Sequence, residues 1–383
     1  MIAKSHGRSY PRLLVIGAGP AGVSAAIRLR DRGADVLLVD RAGFPRDKVC
    51  GCCLNLSALR SLAAISCDRL ITSLARDSLK RWELHFGKQI VQASLPGGVA
   101  ISRYAMDAAL IEEAIRRGAE VQTCCEARII DVMDDAVHVS LRSDQGESIK
   151  ARFDCVVFAT GLSGGGVSRW LPFSKSPQGP IGIGGIVDAV KQVVPQTIHM
   201  ISGREGYVGL VQLEDGRVDV AAAIRRPGAK QPHLSRQHIA ARVDALLQSA
   251  GIPELAGEHL DRWRMTPPLT RSRHVGLGGL IAIGDAAWYS EPFTGEGMAW
   301  AIQSGIESAD CIVDCPRTVG KDAQTLGMAW SLRHRRLVGR RRWLCRLLSR
   351  ALRSDVMAPC LVQAMRVAPW TIKMAVRQLN HPA

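Results

Sequence analysis

The sequence predicts a mixed α/β protein: a parallel sheet with flanking helices, interrupted by antiparallel β-rich segments and followed by a helical C-terminal region. Three observations predict it. The segment PRLLVIGAGPAGVSAAIRLRDRGADVLLVD (11–40) passes from a short apolar run to a helical pattern and back to an apolar run. The segments SLKRWELHFGKQIVQASLP, PIGIGGIVDAV and GYVGLVQLEDGRVDVAAAI alternate or run apolar as strands do, and the last reads as a hairpin about Glu214-Asp215-Gly216. Near the C-terminus, apolar residues fall at helical spacing among arginine clusters.

In the first unit, Leu13 to Ile16 is a strand, Val23 to Arg30 suits a helix that Gly33 ends, and Val36 to Val39 is a second buried strand closed by Asp40. Between the first strand and the helix stand Gly17, Gly19 and Gly22, a G-x-G-x-x-G with Pro20 and Ala21 inside it. Gly17 permits the sharp turn, Gly19 lets backbone approach a pyrophosphate, and Gly22 lets the helix pack on the strand. The helix N-terminus offers N–H groups and positive dipole to phosphate. Asp40, followed by Arg41, stands where an acid accepts from ribose hydroxyls. Together these predict a Rossmann-type dinucleotide site. The motif alone does not separate FAD from NAD.

Bulk properties bound the rest. The 383 residues suffice for two domains, and 47% apolar with 22% charged residues is ordinary for a globular protein. No apolar run approaches the roughly 20 residues of a membrane span. The N-terminus imitates a signal peptide, but the glycines interrupt its apolar part. Eleven scattered cysteines predict reduced thiols and a cytoplasmic protein. The net charge of +15 is uneven: after residue 330 there are twelve Lys and Arg and one acid, so the tail carries +11 and the rest +4. Without aromatic platforms or a nucleic-acid module, this predicts no nucleic-acid partner.

A second motif lies far downstream. Leu280 to Ile283 reads as a strand, Gly284-Asp285 follows, and Pro292, Gly295 and Gly297 lead into a helix starting near Met298. It resembles the late FAD motif of the flavoprotein superfamily that includes p-hydroxybenzoate hydroxylase and geranylgeranyl reductase. The resemblance implies FAD, with Asp285 on the ribityl chain and the helix N-terminus facing the flavin's pyrimidine end, where a reduced flavin is negative. Arg103 and Asp107 stand ahead of an amphipathic helix, and the superfamily has a similar arginine reaching back to the FAD. Thr160-Gly161 follows the strand Cys155 to Phe158 where flavoprotein hydroxylases show Asp-Gly, which counts against hydroxylation. The similarity runs from residue 13 to about 310.

DRAGFPRDKVCGCCLN (40–55) holds Cys50, Cys52 and Cys53. Metal is not expected, for zinc wants two separated cysteine pairs, or one pair with histidines, and no histidine cluster accompanies them, and a disulfide between such close neighbours is strained. PRDKVCG resembles the P-R-x-K-x-C-G segment of geranylgeranyl reductases, which implies Pro45, Arg46, Lys48, Cys50 and Gly51 along the FAD and Cys50 near the flavin ring. Cys50 is expected to wall the pocket, with proton donation as the alternative; Gly51 is expected to turn the backbone beside the ring, and Cys52 and Cys53 to pack.

The expected domains are an FAD-binding unit (1–66, 99–172 and 269–316), a substrate unit (67–98 and 173–268) and a basic helical region (317–383). The superfamily implies that the substrate unit's sheet roofs the flavin, with Tyr207 to Leu210 in the roof. GYVGLVQL stands where geranylgeranyl reductases show a tryptophan and aromatic–proline pattern. The halogenase tryptophan pair is absent, and His85, His138 and His274 read as structural or exposed. In the tail, Leu332, Val338, Trp343, Leu344, Leu347, Leu348 and Leu352 form the apolar pattern, broken at Pro359 and Pro369. It is expected to cap the flavin unit; the alternative is a basic face for an anionic membrane or an acidic carrier protein, at the inner membrane surface. The expected function is FAD-dependent hydride transfer to or from a hydrophobic small molecule. The alternatives are a monooxygenase that hydroxylates an aromatic substrate with O2 and NAD(P)H, and a flavin-bound docking protein.

Overall fold

The computed structural model describes residues 12–134, 136–163, 165–226, 235–290, 296–315, 325–339 and 357–368. One sheet has six strands: β1 (Leu13–Ile16), β2 (Val36–Val39), β7 (Glu120–Gln122), β11 (Cys155–Phe158), β17 (Gly276–Leu277) and β18 (Leu280–Ala282). They run in the order β17-β18-β11-β1-β2-β7, parallel throughout except for β17. The sequences LLVI, VLLV and CVVF do not alternate because every position of β1, β2 and β11 is buried, as in parallel strands covered on both faces. Against this sheet pack α1 (Pro20–Asp31), α4 (Arg103–Arg116) and α7 (Gly297–Asp314). Gly305 brings α7 close to α1: a Cβ there would lie 2.2 Å from the Ala21 carbonyl oxygen. A three-stranded sheet, β8 (Cys125–Val132), β9 (Val137–Ser143) and β10 (Ser148–Phe153), was not foreseen.

The other large sheet has eight strands. They are β4 (Arg81–Phe86), β5 (Gln89–Ser94), β12 (Phe173–Val187), β13 (Thr197–Gly203), β14 (Gly206–Gln212), β15 (Val218–Ile224), β16 (Arg264–Arg273) and β19 (Trp288–Tyr289), in the order β19-β16-β12-β15-β14-β13-β4-β5. Neighbours are antiparallel except β4 with β13. Alternation fixes its two faces. Val218, Val220, Ala222 and Ile224 of β15 join the core with Ile239, Val243 and Leu247 of α5 (Arg236–Ser249), which leaves Asp219, Ala221 and Ala223 on the opposite face. The segments do not divide where composition suggested: β16 straddles residue 268, β19 joins this sheet, and Ile71 of α3 (Asp68–Leu74) is buried in the first core.

The C-terminal helices dock on both units. In α8 (325–339), Trp330 is fully buried and its Nε1 donates to the Ala282 carbonyl at 2.9 Å. In this helix Val338 is buried, but Leu332 is 52% exposed and falls outside the core stripe. α9 (Met357–Val367) buries Val362 against Leu84, Val91 and Met200 of the eight-stranded sheet, not the flavin unit. Pro359 does not break this helix. It lies in its first turn, where the missing N–H would have had no partner anyway. Trp343, Leu344, Leu347, Leu348, Leu352 and Pro369 lie outside the described residues.

Candidate cofactor and substrate cavity

A cavity of about 1250 Å³ is lined by both large sheets. Its first part is the turn after β1. Gly17 has φ +108°, and a Cβ on it would meet the Ala159 carbonyl oxygen at 2.6 Å. Gly22 faces Gly17 itself: its Cβ would lie 1.8 Å from the Gly17 carbonyl oxygen. Gly19 is different. The nearest atom to a Cβ there is Arg103 Nη2 at 3.6 Å, so the chain leaves this space free for something else. Gly19 caps α1 and Pro20 opens it; Gly17, Gly19, Pro20 and Ala21 all line the cavity. Asp40 accepts from the Ala18 N–H at 2.8 Å and the Ala42 N–H at 2.9 Å, one on each carboxylate oxygen. Each oxygen keeps further acceptor capacity.

Cations converge beside this turn. Arg103 and Asp107 do not precede the helix; α4 begins at Arg103, so the two stand four apart on one face, with contacts of 2.8 and 2.6 Å. Burial works against the Arg103 charge, but Asp107 outweighs it and the guanidinium is held more firmly protonated than usual. The helix cap, Ser102, is itself held by Glu214 from the β14–β15 turn, at 2.9 Å through its N–H and 2.6 Å through its Oγ. That link between the units left no signal in the sequence. Arg46 lies 3.9 Å from both Asp40 and Asp107, and its Nε is buried with no partner among the described residues. Arg41 also lines the cavity.

The downstream motif arrives on the same cavity. Asp285 lines it from α6 (Gly284–Ala287), with no hydrogen bond to its carboxylate among the described residues. Loss of hydration pushes this acid up to about 6, against the pull of Lys48 and Arg103. Gly284 (φ +54°) does not line the cavity; it sits under α1, where a Cβ would meet Ala21 Cβ at 2.8 Å. Gly297 and Met298, at the start of α7, line it, whereas Pro292 and Gly295 lie outside the described residues. Thr160 and Gly161 line it too. Thr160 Oγ1 is buried with no partner among the described residues.

The cysteine stretch forms the junction. Cys50 lines the cavity and packs against both the first core and a small cluster of Cys52, Leu79, Ala100, Val211 and Leu213. Gly51 lines the cavity but does not make the turn: a Cβ there meets nothing within 4 Å, and the left-handed residue is Cys52, at φ +46°. Cys52 is 1% exposed, as packing requires, while Cys53, in β3 (Cys53–Leu54) paired with β6 (Val99–Ala100), also lines the cavity. The ten described cysteines are all free. A hydrogen bond from Cys52 lowers the Cys50 thiol; burial opposes it, Arg103 reinforces it, and the value settles at about 6.

Glu83, His85 and His199 do bring their donor atoms within 4.8 Å of one another. His85 Nε2 lies 2.6 Å and His199 Nδ1 3.4 Å from Glu83 Oε1. His199 Nε2 accepts from the Val194 N–H at 3.0 Å, so its hydrogen is on Nδ1, facing Glu83. That tautomer turns no lone pair toward the cluster. It is a hydrogen-bonded strut between β4 and β13, not a metal site.

The far part of the cavity is apolar. Leu79, Trp82 and Leu95 line it with Met200, Tyr207 and Leu210, and α9 closes it with Met365. A pocket for one small ligand occupies roughly 300–1,000 Å³. This cavity has room for a dinucleotide and a second, apolar molecule. The free space at Gly19, the unused acceptors of Asp40 and the unpartnered Thr160 hydroxyl fit a bound FAD.

Comparison with known proteins agrees. The family model described as FAD binding domain matches residues 11–312. The digeranylgeranylglycerophospholipid reductase of Methanosarcina acetivorans is 27% identical over 306 residues, 76% of this chain and 72% of that protein. The menaquinone reductase of Mycobacterium tuberculosis is 26% identical over 334 residues, 78% of this chain and 76% of that one. Among solved structures, p-nitrophenol 4-monooxygenase from Pseudomonas putida superposes with a TM-score of 0.77 at 14% identity, covering 98% of this chain and all of that one. The myxobacterial chondrochloren halogenase gives 0.76 at 17%, covering 95% and 90%. At such identities the two structures attest a shared fold.

Proposed function

The chain belongs to the FAD binding domain family and is an FAD-dependent oxidoreductase, and we propose that its reaction is hydride transfer to or from a long apolar substrate. The observation that carries this reading is the cavity's continuity: a polar, glycine-built part opens into an apolar part under the eight-stranded sheet. The reductase names of the relatives support it.

In this reading the α1 N-terminus and Gly19 hold the pyrophosphate, Asp40 the adenosine ribose, and Asp285 the ribityl chain. The start of α7, at Gly297 and Met298, faces the flavin's pyrimidine end. Bound FAD supplies the two-electron chemistry, with NAD(P)H as a source of electrons. Residues 67–98 and 173–268 supply most of the substrate wall, and Cys50 stands where the two parts meet. Trp82, Met200 and Met365 exclude water and bind the apolar chain. The basic region 317–383 serves to bring the protein to an anionic membrane surface or an acidic carrier from which a water-insoluble substrate is drawn; no described helix is long and apolar enough to cross a membrane.

The test is anaerobic mixing of the chemically reduced protein with an unsaturated polyprenyl lipid and, separately, with its saturated counterpart. Only the unsaturated lipid is expected to reoxidise the flavin. Mixing with oxygen is expected to give no hydroperoxide absorbance; such a transient, with hydroxylation of an aromatic compound, would replace this reading by the monooxygenase one.

A further inference from the structure

The sequence of α9, MAPCLVQAMRV, holds two polar residues, Gln363 and Arg366, so the helix is apolar on nearly every side. A helix apolar all round is ordinarily enclosed, in a protein core or in lipid. α9 is enclosed on one side only. Ala358 and Val362 are buried, and Met365, on the same stripe one turn further, lines the apolar end of the cavity. That side packs on β4 and β5, at the edge of the eight-stranded sheet. On the opposite side Met357 is 51% and Val367 76% exposed, and Cys360, Gln363 and Ala364 are exposed between them. No charge stands on this outward face; Arg366 is exposed at its flank. The surrounding sequence is basic. After residue 330 there are twelve Lys and Arg and one acid; Arg350 and Arg353 precede α9, and Lys373 and Arg377 follow it.

We propose that the outward face of α9 is the surface by which the protein rests on an anionic membrane, and that the cavity's apolar end opens to the lipid beneath this helix. The identity of the molecule drawn through that opening rests on the hydride-transfer reading; the docking does not. An acidic carrier protein would have to meet cations on the face it covers, and the outward face of α9 offers it none. An apolar face flanked by cations is instead the pattern of a helix lying in a membrane interface. Met357, Cys360, Ala364 and Val367 enter the boundary of the acyl chains, and the flanking cations meet the phosphates. The helix then has lipid on one side and the cavity on the other. An apolar molecule passes from the bilayer to Met365 and Trp82 across the width of one helix, without crossing water. Arg366, at the flank, snorkels to the headgroups.

The test is flotation of the FAD-loaded protein with vesicles of phosphatidylcholine alone and of phosphatidylcholine with about one-third phosphatidylglycerol, at low and high salt. Binding is expected with the anionic vesicles at low salt, and little with the neutral ones. The double variant Met357→Glu, Val367→Glu changes two exposed side chains, so its FAD content and thermal midpoint are expected to match the wild type. Its affinity for the anionic vesicles is expected to fall about tenfold or more, through lost insertion and added repulsion. In a second measurement, a phosphatidylglycerol with a photoreactive acyl chain is expected to label the wild-type peptide that holds residues 357–367. A wild-type chain that ignores both vesicles, a double variant that binds as the wild type does, or labelling that spares α9 would each overturn the proposal; the first would leave the face to a protein partner. None of these arms needs turnover, so they decide the docking even if hydride transfer fails. With turnover, the double variant is expected to raise KM about tenfold for a polyprenyl lipid held in anionic vesicles and to leave it unchanged for the same lipid in detergent micelles, with kcat unchanged in both. An equal rise in both would place the two residues in the substrate site and also overturn the proposal.

Discussion

The two parts of the cavity are made by different means. Around Gly17, Gly22, Asp40 and Arg103, backbone and charge are fixed by contacts within a few residues or across one strand. Under the eight-stranded sheet, the wall is assembled from β4, the β13–β14 hairpin, β16 and α9, pieces far apart in the chain that meet only in the folded protein. The first part therefore tolerates almost no change in shape. The second depends on remaining apolar and has no one position on which it turns.

Substitutions sharpen that contrast. The largest effect is expected from Gly22→Val, whose side chain would overlap the Gly17 carbonyl; the expected outcome is no soluble folded protein. Gly19→Val is expected to fold with an unchanged circular dichroism spectrum and to purify without flavin absorbance, because only cofactor space is filled. A yellow Gly19→Val protein would erase the distinction between a packing glycine and a ligand glycine.

Asp285→Ala is expected to weaken FAD by about 1.5–3 kcal/mol, the worth of a hydrogen bond to a charged group, measured by fluorescence titration. The same residue predicts a pH effect on the flavin-free protein. Its folded value of about 6 exceeds its ordinary 3.8, so the folded chain holds the extra proton between them. That contribution is present below pH 4 and lost as pH rises from 4 to 6, amounting to at most about 3 kcal/mol. Asp285→Asn is expected to remove that fall from the denaturation midpoint; an unchanged slope would mean that the carboxyl is well hydrated.

In the apolar part, Met365→Glu is expected to raise KM for an apolar substrate about tenfold or more while FAD affinity stays put, since burying a charge there costs binding and nothing near the nucleotide changes. Equal loss of both would show that the two parts act as one. The smallest effect is expected from Gly51→Ala, within about 0.5 kcal/mol in thermal unfolding, because its Cβ enters open space at an ordinary φ.

The sequence by itself determined β1, α1 and β2, the glycine turn, Asp40 and Asp285 as an inward acid, and the β14–β15 hairpin. All of these rest on interactions local in the chain: an apolar run, a φ that glycine alone adopts readily, a helix start, a tight turn. What the tertiary structure decided was non-local. Ser102, which caps α4 one residue before Arg103, is held by Glu214 from the other unit. Cys52, not Gly51, takes the left-handed conformation because its neighbours across β3 and β6 and under the roof sheet fix it there. Met365 closes the apolar part although it is more than 100 residues from any other strand of its wall but one, and Val211 packs with Cys52 only because β14 is central in a sheet whose inward face lies over that cysteine. Composition carries no record of such juxtapositions: they follow from which sheet face meets which loop, and that is set by the packing of the whole chain.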